Sequence, residues 1–318
     1  MWSSTGRRCD PLTRFVIRRL LLTIPILIGA SLLIYAMVYA LPGDPVRALS
    51  GDRPLSPAVQ AQIRADFNLD DPFIVQYGKY LWALLHGDFG TDFSGRPVVE
   101  TISQRLPVTV RLTVVAVFFE TVLGVTAGIL AALRRNSFFD NLVLVSTTVL
   151  VSIPVFVLGF LAQYAFGFKL GWFPIAGIAD GWVSYLLPGL VLAALSMAYV
   201  ARLTRTAMLE AMSADYIRTA RAKGVGRTRI VLRHAFRNSL IPVITFIGAD
   251  IGALLGGAIV TESVFNLPGL GRAIFDAVRS QQGPVVVGIV TMMVFFYIFF
   301  NLLADVLCAV ADPRIRYE

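Results

Sequence analysis

Ser213-Ala-Asp-Tyr-Ile-Arg-Thr-Ala-Arg-Ala-Lys-Gly-Val-Gly-Arg-Thr-Arg-Ile-Val-Leu-Arg-His-Ala-Phe-Arg-Asn-Ser-Leu-Ile-Pro242 is the one long polar stretch between two strongly apolar runs in the second half of the chain. Ser213 is placed to N-cap a helix, with Asp215 in the first turn, where the helix dipole favours an anion. The helix is expected to reach about Lys223 and stop at Gly224, because glycine takes the left-handed conformation that follows many helix ends. Gly226 adds a second flexible point. A second short helix then runs towards Asn238, and Pro242 opens the next apolar run. The pattern is helix, glycine elbow, helix, presented at a membrane surface.

The membrane follows from what surrounds this stretch. Of 318 residues, 56% are hydrophobic and 15% charged, with a mean hydropathy of +0.72. A soluble chain carries about a quarter charged residues, and several runs here exceed the roughly 18 apolar residues that mark a membrane helix. In a soluble protein the net charge of +8 would suggest nucleic acid. In this chain its distribution records topology, since basic residues gather on the cytoplasmic side. Residues 202–237 hold nine bases and two acids, the strongest such signal in the sequence. The two cysteines, Cys9 and Cys308, lie at opposite ends, both on the expected inner side, which argues against a disulfide or metal site.

Six spans are expected. Five arginines up to Arg19 precede the first apolar run, 20–41, which is much longer than the roughly 7–15-residue core of a signal peptide. Residues 42–106 then form a long outer segment with eight acids and six bases. Apolar spacing at 57–69 and 75–85 predicts two small surface helices within it. Span two covers 107–133 and ends at Arg134 and Arg135. Span three covers 142–168, with a kink at Pro154. Span four covers 185–201, span five 241–260 and span six 285–307, so both termini are inside. His86 reads as a loop residue and His234 has no metal partner in the pattern.

The run Asp215, Tyr216, Ile217, Arg218, Thr219, Ala220, Arg221, Ala222, Lys223, Gly224, followed by His234-Ala-Phe-Arg-Asn238 and Leu240-Ile-Pro242, resembles the coupling loop of ABC importer permeases. It resembles most the first, "B"-type, membrane subunit of the dipeptide/oligopeptide/nickel subfamily. Where the general importer motif reads Glu-Ala-Ala, this chain has Arg218-Thr219-Ala220, a departure that the peptide subfamily shares. Leu41-Pro-Gly-Asp-Pro45, the segment from Glu262 to Gly271 and the Asp-Pro-Arg-Ile-Arg-Tyr317 tail resemble the same subfamily, so the likeness runs from Phe15 to Tyr317. It implies an all-α membrane protein with the type I ABC importer architecture. Its parts are a cytoplasmic extension (1–14), a first span (15–41), an extracytoplasmic segment (42–106), a core of five spans (107–310) carrying the coupling loop (208–240), and a cytoplasmic tail (311–318). Implied partners are a second permease, two ATPase subunits that use ATP and Mg, an extracytoplasmic substrate-binding protein and the lipid bilayer, with no nucleic acid. The cargo would be a dipeptide or oligopeptide, with nickel or another small solute as the alternative. The same charges would also suit a basic hairpin lying on anionic lipid, although lipid binding requires no elbow at Gly224.

The residues offer no catalytic centre of their own. A phosphate-binding Gly-x-x-x-x-Gly-Lys-Ser/Thr loop is absent: the chain has three lysines, and Gly78-Lys79 is followed by Tyr80. Two histidines, one on each expected side, cannot furnish a membrane protease. No cofactor is therefore expected on this chain. Two carboxylates, Glu120 and Asp250, fall near the middle of their spans, where a charge costs several kcal/mol and faces a cavity or a partner. Each is a candidate pathway residue or a protonated or partnered structural group, and the resemblance gives neither a role. Arg111, nine residues before Glu120, is out of phase with it on a helix. Gly248, Gly252 and Gly256 on span five permit close helix approach, either within this chain or against a second permease, and their place just after the coupling loop favours the second. A stand-alone secondary transporter would be the rival reading, but it would leave the polar loop unexplained and the expected inverted repeat is not visible.

Overall fold

The computed structural model describes residues 11–39 and 56–311. Cys9, the 41–45 signature and the 312–317 tail lie outside them. The described chain is helical, without a named strand. Helix α1 is Pro11–Tyr39. The outer segment supplies α2 (Pro57–Asp66) and α3 (Phe73–Leu85), as the apolar spacing predicts. The long helices are α4 (Val98–Leu133), α7 (Val183–Ser213), α9 (Arg227–Val264) and α11 (Gly283–Ala311). Between them lie α5 (Phe138–Ser152) and α6 (Val155–Lys169), α8 (Asp215–Ala222) and α10 (Leu270–Arg279).

Five helices are long and apolar enough to cross a membrane, and α5 with α6 makes a sixth crossing if that bent pair is one span. The pair is not the kinked helix that Pro154 led us to expect. It bends by 107°, because Ile153 before the proline takes an extended conformation (ψ 126°) and Pro154 begins a new helix. Other boundaries also shift. Span two begins at Val98, not Pro107, because Val98 and Ile102 pack on α10 and α11. Span four continues beyond 201 to Ser213, because Thr204 and Met208 are buried by the chain itself. Hydropathy marks the depth of lipid, whereas packing sets the helix ends.

Helices α4, α7 and α9 form the centre. Val115 meets Gly189, Gly124 meets Met197 and Val200, and Gly128 meets Ala201 and Thr204. The two numbers rise together, so α4 and α7 run parallel at close approach. Helix α9 runs opposite: Leu192 lies against Gly257, Ser196 bonds Asp250, and Tyr199 stacks on Phe246. One apolar cluster fills the trio around Leu112, Tyr185 and Phe265. Another, around Val125, Val200 and Val243, fills it nearer the arginine-rich end. Helix α1 lies on α11, and α3 clasps both: Ser31 and Tyr77 share a 2.8 Å hydroxyl hydrogen bond, and the Tyr80 hydroxyl donates to Thr291 at 2.9 Å.

Candidate coupling element and the buried carboxylates

The polar stretch folds as helix and elbow, with two differences from the sequence reading. Ser213 is the last residue of α7 and its hydroxyl donates to the Glu210 carbonyl, so it does not cap α8. Ala214 alone (φ −68°, ψ 152°) turns the chain from α7 into α8. The end of α8 is as expected. Gly224 is left-handed (φ 74°), its amide donates to Arg221, and the Val225 amide donates to Ala220. Val225 and Ala220 then pack in one cluster, which completes the glycine-terminated end of the helix. The second helix does not stop at Asn238. It continues through a π-helical stretch, Ile230–Phe236, into the membrane helix with Pro242 inside it. A proline is tolerated there because neighbouring helices and local π adjustments satisfy the freed backbone groups.

Helix α8 has two faces. Ile217 is 1% exposed and, with partly buried Ala220, packs on Met208 of α7, on Ile230, Val231 and Ala235 of α9, and on Leu133 at the end of α4. The opposite face is open: Asp215, Tyr216, Arg218, Thr219, Arg221, Ala222 and Lys223 are all exposed. Ala220, part of the run that resembles the coupling loop, is not on this open face but packs within the chain. The exposed Arg218–Asp215 pair, 2.8 Å apart, adds little stability because both groups stay solvated. Nearby, Arg205 of α7 grips Asp140 of α5 with two hydrogen bonds of 2.6 and 2.8 Å, and Asp140 also accepts from the Asn136 amide. In the sequence Arg205 counts only as one of the nine bases of residues 202–237. The available signal was Ser137 with an acid three residues later, a helix start that fixes Asp140 at the arginine-rich end.

At the other end of the trio, Glu262 is wholly buried. Span five is expected to end at 260, before Glu262, whereas Glu262 sits in the last turn of α9. Its carboxylate accepts from the Thr109 hydroxyl at 2.6 Å and from the amides of Gly271 and Arg272, the latter at 2.9 Å. Thr109 in turn accepts from the Leu270 amide at 2.8 Å. These amides open α10, so Glu262 caps one helix from another, where unpaired N–H groups and the helix dipole both favour an anion. The glycines of the motif follow from this: a Cβ on Gly269 would strike the Glu262 carboxylate, and one on Gly271 would strike the backbone of Ile259.

The structure brings Glu120 and Asp250 together. Asp250 acts electrostatically on Glu120, and Ser196 hydrogen-bonds Asp250. Glu120 is wholly inside the chain and neither of its oxygens has a hydrogen-bond partner. It therefore lines no open path in this conformation. A π turn, Glu120–Gly124, starts at this residue. Arg111 lies over Trp182, 5.9 Å from the ring centre, consistent with its being out of phase with Glu120.

The description "Binding-protein-dependent transport system inner membrane component" fits residues 124–317, and the N-terminal part of the same kind of component fits 12–113. The chain belongs to this family. It is 40% identical over 315 residues to a putative peptide transport system permease protein of Brucella abortus, covering 96% of this chain and all of that one. It is 42% identical over 305 residues to the glutathione transport system permease GsiC of Salmonella paratyphi A, covering 96% and 99%. The dipeptide transport permease DppB of Alkalihalophilus pseudofirmus is 38% identical over 331 residues, covering 95% and 99%. A solved inward-facing structure of the MetNI methionine ABC transporter shares the fold, with a TM-score of 0.56 at 17% identity over 67% of this chain and 96% of that one.

Family membership removes the stand-alone secondary transporter, since a binding-protein-dependent component works within an assembly. The three glycines of span five need a correction as well. Gly248 packs on Ala304 and Gly252 on Tyr297, both in α11 of the same chain. Small residues here let two helices of one subunit approach, so these two are not available to a second permease. Gly256 meets nothing within 4 Å and remains open.

Proposed function

We propose that this chain is one of two permease subunits of an ATP-driven importer for peptides, and that α8 is the element through which separate ATPase subunits move it. The arrangement of α8 carries the reading: a short surface helix with an open polar face whose inner face is seated on α4, α7 and α9 together. A push on such a helix reaches three membrane helices at once, the differential contact that coupling between two states requires. The peptide, glutathione and dipeptide permeases at 38–42% identity support the cargo class. A binding protein would deliver cargo at the Glu262 end, taken as extracytoplasmic, and ATP and Mg would be used by the partners alone.

The test reverses charge on the open face without touching the seat. Arg218→Glu is expected to leave the chain in the membrane at its normal level while substrate-stimulated ATP hydrolysis of the reconstituted assembly falls at least tenfold. Wild-type stimulated hydrolysis in this variant would sink the docking role. The same variant losing affinity for anionic vesicles while coupling is retained would identify a lipid-bound hairpin instead.

A further inference from the structure

The polar layer at the centre of the trio is unlike anything around it. On the side towards α10 lies the apolar cluster of Leu112, Tyr185 and Phe265, and on the arginine-rich side the cluster of Val125, Val200 and Val243. Between them, one helix each contributes Glu120 from α4, Ser196 from α7 and Asp250 from α9. Glu120 and Ser196 are 0% and 8% exposed. Both Glu120 oxygens and Oδ2 of Asp250 are buried without a hydrogen-bond partner. Among the described residues the ion pairs are all elsewhere. The Asp250 charge acts on Glu120, and the Ser196 hydroxyl hydrogen-bonds Asp250.

Two like charges packed inside a helix trio repel more strongly than they do in water, and Glu120 is sealed from solvent by the chain itself. Among the described residues no fixed positive charge pairs with either of them. Five side-chain oxygens from three helices lie in this one layer, a donor set that suits a hard cation or a proton and offers nothing to a soft metal.

We propose that Glu120, Asp250 and Ser196 form a site inside the helix trio for one small monovalent cation, either a proton held between the carboxyls or a sodium-sized ion among their oxygens. Occupancy ties α4, α7 and α9 at one level, and loss of the cation drives the two carboxylates apart. The site lies on the helices that seat α8, so its occupancy biases the same helix trio that the coupling element moves. Binding is a simple association: the cation enters and leaves, and no bond other than O–H is made or broken.

The full-length chain in lipid nanodiscs tests this without any partner subunit. Infrared spectra in water and heavy water would show the carbonyl stretch of a protonated carboxyl at neutral pH. That band is expected to be lost in Glu120→Gln or in Asp250→Asn if the ligand is a proton. For sodium the expectation is different: sodium chloride, but not choline chloride, raises the melting temperature of the wild type, and either variant abolishes the rise. Asp250→Asn serves if Glu120→Gln fails to fold. Absence of both signals in the wild type, or their persistence unchanged in the two variants, overturns the site.

Discussion

Glu120 and Glu262 are both wholly buried glutamates in the same helix trio, and their surroundings are opposite. Glu262 reaches the start of a helix and takes a hydroxyl and two backbone amides. Glu120 leaves a π turn and takes nothing. The contrast separates two reasons for a carboxylate inside a membrane protein. One supplies an anion where the fold has built donors for it, and its worth is structural. The other sits where the fold has built no donor, so its worth lies in something that is not always there.

Three substitutions probe that difference, beginning with the largest effect. Glu262→Ala would leave the Gly271 and Arg272 amides and the Thr109 hydroxyl without their acceptor in a closed site. Each orphaned buried donor costs about 1–3 kcal/mol, so a loss of about 3 kcal/mol or more is expected, read as a fall in melting temperature and early proteolysis between α9 and α10. A stable Glu262→Ala chain would erase the distinction between the two glutamates. Gly271→Ala tests the same corner more gently. Its Cβ meets backbone atoms of Ile259, which cannot swing aside, and a loss of about 1–3 kcal/mol follows from overpacking. Wild-type stability would mean that α10 is free to shift, and that the capping geometry is not fixed. Glu120→Leu is expected to act in the other direction. With the cation site empty, at alkaline pH and without sodium, it removes a polar group that has no fixed partner and fills its space with apolar atoms, a gain of about 1 kcal/mol, measured as a higher melting temperature. A marked loss instead would show that Glu120 has a structural partner after all.

The coupling element repeats the lesson at the surface. Gly224 could be read from the sequence because a left-handed helix end selects glycine through local sterics alone. The two faces of α8 could not. Ala220 and Thr219 are neighbours, yet one is pressed into the chain and the other is open. Which face turns inward depends on where Met208, Ile230 and Leu133 arrive, and these come from three different helices. The bracing pair Asp140–Arg205 was hidden for the same reason: its members are 65 residues apart, and each alone looks like an ordinary helix-end charge.

The sequence by itself determined the membrane class, the two surface helices of the outer segment, the arginine-rich end and the helix stop at Gly224. All of these rest on hydropathy, charge counts or the conformational preference of a single residue, which act over a few residues and need no knowledge of neighbours. Only the tertiary structure decided the true helix lengths, the 107° break at Pro154, the assignment of Gly248 and Gly252 to contacts within the chain, the capping role of Glu262 and the meeting of Glu120 with Asp250. Each of these depends on which surfaces meet across helices far apart in the chain. Two carboxylates 130 positions apart acquire their chemistry only when parallel α4 and antiparallel α9 bring them to one level beside Ser196.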